Sequence, residues 1–178
     1  MPVDNVYSTP VLMEDIKLLN LPKLMVVSPD VGGVVRARAM AKNLNDIELS
    51  IIDKRRSGPN KSEVMHIIGD PTKRNCIIID DIVDTAGTLC AAAHELKKAG
   101  AESVRAYVTH PVLSGSAVEN ILYSELDEVV ITDTIPLTEA AKHCAKIRLV
   151  SLADMLAQAI KRVNIEESVS SMFVDEVG

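Results

Sequence analysis

A chain of 178 residues with 47% hydrophobic and 25% charged residues has the apolar material for one domain with one substantial core. Its formal net charge of −6 argues against nonspecific DNA or RNA binding, which needs a basic surface. The charge does not exclude a small anionic ligand, since a local cluster such as Lys54-Arg55-Arg56 can hold a phosphate on an acidic protein.

In chain order, the N-terminus has no basic segment followed by an apolar run, and Pro10 and Asp15 interrupt it early. Leu24 to Ser28 (LMVVS) is a short apolar run bounded by Pro22 and Pro29 and predicts a buried strand. Pro29-Asp30-Val31-Gly32-Gly33 leads into a helical stretch from Val34 to Leu44. Glu48 to Asp53 predicts a second strand, and Lys54 to Asn60, with Gly58 and Pro59, predicts a loop. Val64 to Ile68 reads as a strand returning from that loop, followed by a turn at Gly69-Asp70-Pro71.

Cys76 to Ile79 is continuously apolar, as a parallel strand covered on both faces should be. Thr88 to Ala99 reads as a helix, with Leu89, Ala92, Ala93 and Leu96 at helical spacing and Gly100 as its stop. Strands follow at Ser103 to Thr109, Glu128 to Thr132 and Ile147 to Val150, with a short helix at Ser116 to Leu122. Leu152, Met155, Leu156, Ala159, Ile160 and Val163 form the apolar stripe of a final helix. The alternation predicts an α/β fold with a mostly parallel central sheet, interrupted by a 48–68 hairpin that suits a flexible flap. No linker divides the chain, so one domain over residues 1–178 is expected.

Only Tyr7, Tyr107, Tyr123 and Phe173 are aromatic, which leaves the core to aliphatic residues. Cys76, Cys90 and Cys144 are an odd, widely spaced set that suits a reducing compartment and small core positions. No stretch approaches the roughly 20 apolar residues of a membrane span. A soluble, cytoplasmic protein with no membrane or nucleic-acid partner is the expectation.

The stretch that carries chemistry is Ile77 to Thr88, IIIDDIVDTAGT. Open α/β sheets bind ligands at the carboxyl ends of their strands, and Asp80 and Asp81 fall at such an end. Asp84-Thr85-Ala86-Gly87-Thr88 then runs into a helix. Small residues at a helix N-terminus offer unpaired N–H groups and the positive end of the helix dipole, which suits a phosphate. The hydroxyls of Thr85 and Thr88 can add donors. Carboxylates repel phosphate but accept from sugar hydroxyls, so acids beside a phosphate loop suit a phosphorylated ribose. If Asp80 and Asp81 are both extended, they leave opposite faces, and Asp80 is the one favoured to face the sugar. The plainer reading is an acidic turn with Thr88 as a helix cap.

This segment resembles the phosphoribosyl pyrophosphate motif of type I phosphoribosyltransferase folds. With VSPDVGGVVRARA from Val27, IDKRR from Ile52, VMHIIG from Val64, THP from Thr109 and VITDTIPL from Val130, the chain resembles ribose-phosphate diphosphokinases over almost its whole length. The resemblance implies transfer of a diphosphoryl group from ATP to the anomeric hydroxyl of ribose 5-phosphate, with magnesium. It implies Lys54 as the catalytic lysine on a mobile loop, and Arg56 as a ligand of the phosphorylated sugar or transferred group. It implies Asp80, Asp84, Thr85, Ala86, Gly87 and Thr88 as substrate-binding positions and Asp30 as a magnesium position. Asp30 can also be read as a cap of the following helix.

The family has two such domains in tandem, and this chain resembles the second; the ATP-binding half is expected to be missing. Homo-oligomers, or association with a separate ATP-binding half, are the implied assemblies. A noncatalytic subunit binding phosphoribosyl pyrophosphate or ribose 5-phosphate stays open, as does a stand-alone phosphoribosyltransferase. Ala86 stands where many relatives have glycine and is strained if the loop needs φ > 0.

Overall fold

The computed structural model describes residues 3–55 and 64–176. Seven strands make one sheet: β1 (Leu24–Ser28), β2 (Glu48–Arg55), β3 (Val64–Ile68), β4 (Asn75–Val83), β5 (Ser103–Pro111), β6 (Glu128–Thr132) and β7 (Ile147–Val150). Their spatial order is β3-β2-β1-β4-β5-β6-β7. Every neighbouring pair is parallel except β2 with β3, which run antiparallel from Ile51↔Ile68 to Arg55↔Val64. The expected α/β fold and the antiparallel hairpin are both present; the hairpin tip, expected to be a flap, lies outside the described residues.

The helices are α1 (Thr9–Leu18), α2 (Val34–Asn43), α3 (Gly87–Lys98), α4 (Ala117–Tyr123), α5 (Glu139–Lys142) and α6 (Ala153–Asn164), with 3-10 turns over Ser170–Glu176. Two core layers flank the sheet. Cys76 and Ile78 of β4 belong to the layer covered by α3 and α4, with Leu89, Ala92, Ala93, Leu96 and Ile121. Ile77 and Ile79 belong to the opposite layer, with Leu12 and Ile16 of α1 and Ala37 and Met40 of α2. Successive side chains leave opposite faces of a strand, and both faces here are covered. That is why this strand reads as an unbroken apolar run.

Several elements differ from the sequence reading. β2 runs past Asp53 to Arg55, so Lys54 is on the strand and not in the loop, β4 runs past Ile79 to Val83, and α5 has no counterpart in that reading. The sequence reading assigns no element to Thr9–Leu18; Pro10 sits in the first turn of α1, where its missing N–H costs nothing. Asp15 accepts from Tyr107 Oη at 2.6 Å and from both terminal nitrogens of Arg148 at 2.8 and 2.7 Å, so it pins α1 to β5 and β7. The α6 stripe is only half covered. Met155 and Ala159 pack with Val169 and Phe173, whereas Leu156, Ile160 and Val163 are exposed.

Candidate active site

The strand order places a crevice where chemistry is expected. After β1 the chain builds outward through β2 and β3; after β4 it builds the other way through β5, β6 and β7. The ends of β1 and β4 therefore form the switch point at which open α/β sheets bind ligands. The register shows how the cleft opens. Pairing of β1 with β4 stops at Val27↔Ile78, but β4 stays paired with β5 as far as Val83↔Pro111. Asp80 and Asp81 thus lie inside β4, on a strand that outlasts its neighbour, and not just past its end as the sequence reading had them.

On the β1 side, the Asp30 carboxylate accepts from the Gly33 amide at 2.8 Å, and Ser28 Oγ donates to the Asp30 carbonyl at 2.7 Å. The N-cap of α2 is Gly33 and no side chain caps the helix, so Asp30 tightens the turn before the helix and is not its cap. A Cβ added at Gly33 would lie 2.9 Å from Ser28 Oγ, so any larger residue must displace that hydroxyl. Among the described residues no three His, Cys, Asp or Glu side chains gather into a metal cage. A single exposed carboxylate still suits magnesium, which takes few protein oxygens and completes its shell with water and phosphate.

Arg36, on the first turn of α2, spans the crevice. Its guanidinium lies 2.6 Å from Asp81 Oδ2 and 3.6 Å from Asp80 Oδ1. Both acids therefore reach one cation despite adjacent positions on the strand. Asp80 Oδ1 also accepts from the Asp81 amide at 2.9 Å. The Asp80 side chain is 18% exposed against 54% for Asp81. Burial pushes the Asp80 carboxyl up to about 6; the Asp81 amide and Arg36 pull it back, while the Asp81 carboxylate adds to the rise.

The loop after β4 leads straight into α3. Ala86 is the residue preceding α3, with φ 62° and ψ 3°, and no side chain caps the helix. The expected cap at Thr88 is therefore absent, and the amides of the first turn have no intrahelical acceptor. Asp84, Thr85, Gly87 and Thr88 are exposed, while the Ala86 methyl is buried among Val83, Leu89 and Leu113. The left-handed Ala86 settles the glycine question: the loop does need φ > 0, and alanine accepts the strain.

Lys54 pairs with Met65 near the carboxyl end of β2, on the same sheet edge as Asp30 and Asp80. Its side chain lies outside what is described, and Arg56 lies outside the described residues altogether. His110 Nδ1 lies 3.0 Å from Thr134 Oγ1, and Asp133 accepts from Ser151 and the Leu152 amide, tying the THP and TDTIPL segments together structurally. Cys76 and Cys144 are buried and Cys90 is half-buried, in keeping with core roles. Sequence reasoning missed Arg36 and also Ser114 and Asn120, which bond to Asp84 and to the Thr85 carbonyl. Their partners lie 30 to 45 positions away, so no local pattern could reveal them.

Residues 37–174 match the family described as the phosphoribosyl synthetase-associated domain. The chain belongs to that family. It is 61% identical over 176 residues to the ribose-phosphate pyrophosphokinase of Xanthomonas axonopodis pv. citri (strain 306), covering 98% of this chain and 55% of that protein. The Coxiella burnetii (strain RSA 493 / Nine Mile phase I) ribose-phosphate pyrophosphokinase is 59% identical with the same coverage. This phosphoribosyl synthetase-family chain thus spans about half the length of the curated relatives it matches. Its fold superposes on the phosphoribosylpyrophosphate synthetase of Mycobacterium smegmatis with a TM-score of 0.85 at 33% identity, covering 93% of this chain and 53% of that one. A purine phosphoribosyltransferase from Pyrococcus horikoshii shares the fold at a TM-score of 0.51 and 23% identity, covering 81% of this chain and 84% of that one.

Proposed function

We propose that this chain supplies the ribose 5-phosphate side of a ribose-phosphate diphosphokinase. The observation that carries the reading is the crevice itself: a carboxylate pair on β4 and an uncapped, small-residue helix start lie across from the Asp30–Gly33 turn. In this reading the amides of Thr85 to Thr88 hold the 5-phosphate, aided by the Thr85 and Thr88 hydroxyls. Asp84 and Asp80 accept from the pentose hydroxyls.

The anomeric hydroxyl attacks the β-phosphorus of ATP, the bond to the α-phosphate oxygen breaks, the hydroxyl proton is lost, and AMP leaves. Catalysis of this kind rests on positioning and on neutralising moving charge. Lys54, near the end of β2, and Arg56, two positions on, neutralise charge on the transferred diphosphoryl group. Asp30 would hold magnesium, and the ion would supply charge neutralisation. The relatives' names and the family membership support the substrate class. The assembly is a homo-oligomer or a pairing with a separate ATP-binding half, in the cytoplasm; the unpaired cysteines among the described residues fit a reducing compartment.

Titration calorimetry with ribose 5-phosphate tests the site: wild type binds and Asp84→Ala loses most of the affinity. Adding the remaining portion of a relative with ATP and magnesium tests the reaction through ribose-5-phosphate-dependent AMP release. Binding without AMP formation under those conditions identifies a noncatalytic binding subunit. Absence of any ribose 5-phosphate binding sinks the proposal.

A further inference from the structure

The loop that follows β5 lies against the phosphate loop and holds it at four points. The Leu113 amide donates to the Val83 carbonyl at 3.1 Å, and the Ser114 amide to the Asp84 carbonyl at 3.0 Å. Ser114 Oγ donates to the Asp84 carboxylate. Asn120 Nδ2, from the exposed side of α4, donates to the Thr85 carbonyl at 3.0 Å. These bonds follow the cradle residue by residue from 83 to 85, the stretch that leads into the left-handed Ala86.

The braced turns are strained on both sides. Leu113 has φ 49° and Gly115 φ 57°, facing Ala86 at φ 62°. Left-handed alanine and leucine persist only where the surroundings over-determine them. Here the surroundings are the buried side chains of Val83, Ala86, Leu113 and Ala117, in one core layer, plus the four bonds above. A core-facing Leu113 anchors the brace, while Ser114 and Asn120 stand at the exposed surface, and among the described residues their side chains bond to the cradle and to Ser116. Two exposed polar side chains aimed at one loop do little for the core. Their geometry sets where Asp84 points and which way the Thr85–Ala86 peptide faces.

We infer that Ser114 and Asn120 are positioning residues for the pentose-phosphate ligand. Ser114 orients the Asp84 carboxylate toward the sugar hydroxyls. Asn120 fixes the Thr85 carbonyl away from the ligand, which turns the following amides toward the phosphate. The inference rests on the reading of residues 84–88 as the ribose 5-phosphate site.

Calorimetric titration of the full chain with ribose 5-phosphate tests it. Ser114→Ala and Asn120→Ala are each expected to weaken binding about tenfold, the scale of one hydrogen bond to a charged or dipole-fixing group. Ser114→Thr keeps the hydroxyl and rescues the affinity. Because Ser114 acts through Asp84, Ser114→Ala adds little further loss in an Asp84→Asn background, a non-additive cycle. A merely structural role lowers the melting temperature while leaving affinity unchanged and the cycle additive, and that outcome overturns the inference. Asn120→Asp, which removes the donor and keeps the shape, gives the second reading at that position should the alanine variant fold poorly. Wild-type affinity in the Ser114 and Asn120 variants, with binding lost in Asp84→Asn, removes the brace and leaves the site standing. Unchanged binding in Asp84→Asn removes the site, and the brace with it.

Discussion

The Arg36 guanidinium lies 2.6 Å from the Asp81 carboxylate and thereby joins the first turn of α2 to the middle of the site-bearing strand. The same guanidinium reaches Asp80 at 3.6 Å. One cation on one side of the switch point thus serves both acids on the other. The contact is half exposed, so its weight in stability is small, about 0–1 kcal/mol. Its weight in the electrostatics of the site is larger, because Asp80 is mostly out of water.

Arg36→Ala therefore separates the two effects. The expected loss of stability is under about 1 kcal/mol by chemical denaturation. The titration midpoint of Asp80, followed by carboxyl carbon NMR, is expected to rise above the value of about 6, since the guanidinium favours the ionised form. A midpoint that falls on removal of Arg36 contradicts this picture.

The role proposed for Asp80 predicts a pH dependence of ligand binding. Burial raises its carboxyl from 3.8 to about 6, so the folded protein keeps a proton that the unfolded chain has already released. Between those two values stability declines as pH rises, and above about 6 the penalty is complete. The ionised carboxylate is the better acceptor for sugar hydroxyls, so ribose 5-phosphate affinity should climb through pH 6 and level off above it. The sugar phosphate itself titrates near 6 (roughly, as for phosphate monoesters). Asp80→Asn isolates that contribution: its profile should be shallower than wild type below pH 6, and identical profiles count against the role.

Ala86 offers a test of strain against burial. Replacing it with glycine relieves a left-handed conformation costing roughly 1–2 kcal/mol, while glycine returns about 0.5–1 kcal/mol in chain entropy and loses a buried methyl. These oppose each other, and the variant should melt within a few degrees of wild type. Ala86→Val places a β-branched side chain at φ 62° and should cost roughly 2 kcal/mol or more. Calorimetric melting of the pair reads the difference, and equal stability of the valine variant argues against the left-handed loop.

Away from the site, Asp15 carries the docking of α1. The Arg148 guanidinium, bonded to it through two nitrogens, holds its carboxyl below the ordinary value, with Tyr107 adding to the effect against burial. Stability from a depressed carboxyl is present above its unfolded value near 3.8 and is lost as pH falls through the folded one. Asp15→Asn should cost roughly 1–3 kcal/mol at neutral pH. The gap from wild type should close in acid, below pH 3.8, as measured by urea unfolding across the range.

Much of the fold was legible in local pattern. The runs at Leu24–Ser28, Val64–Ile68, Glu128–Thr132 and Ile147–Val150 coincide with strands residue for residue, because proline, glycine and charge bound them tightly. β4 was read short, since Asp80 and Asp81 look like a stop. Pairing with β5 supplies the backbone partners that carry the strand through them to Val83. The N-terminal helix was not read from the sequence, where Pro10 and Asp15 only interrupt an apolar run. The first is harmless in a first turn, and the second is made tolerable by Arg148 and Tyr107, contributed from far along the chain.

By itself the sequence determined the alternating α/β order, the acidic pair that follows the apolar run of β4 and the small-residue loop that opens α3. Each of these depends on neighbours within a few positions, where side-chain period and backbone propensity act. The tertiary structure alone decided that β1 and β4 are the adjacent strands at the switch point, that Arg36 reaches both acids, and that Ser114 and Asn120 hold the loop. Those relationships depend on which strands pair and in what register, and pairing is fixed by packing of both sheet faces across the whole chain.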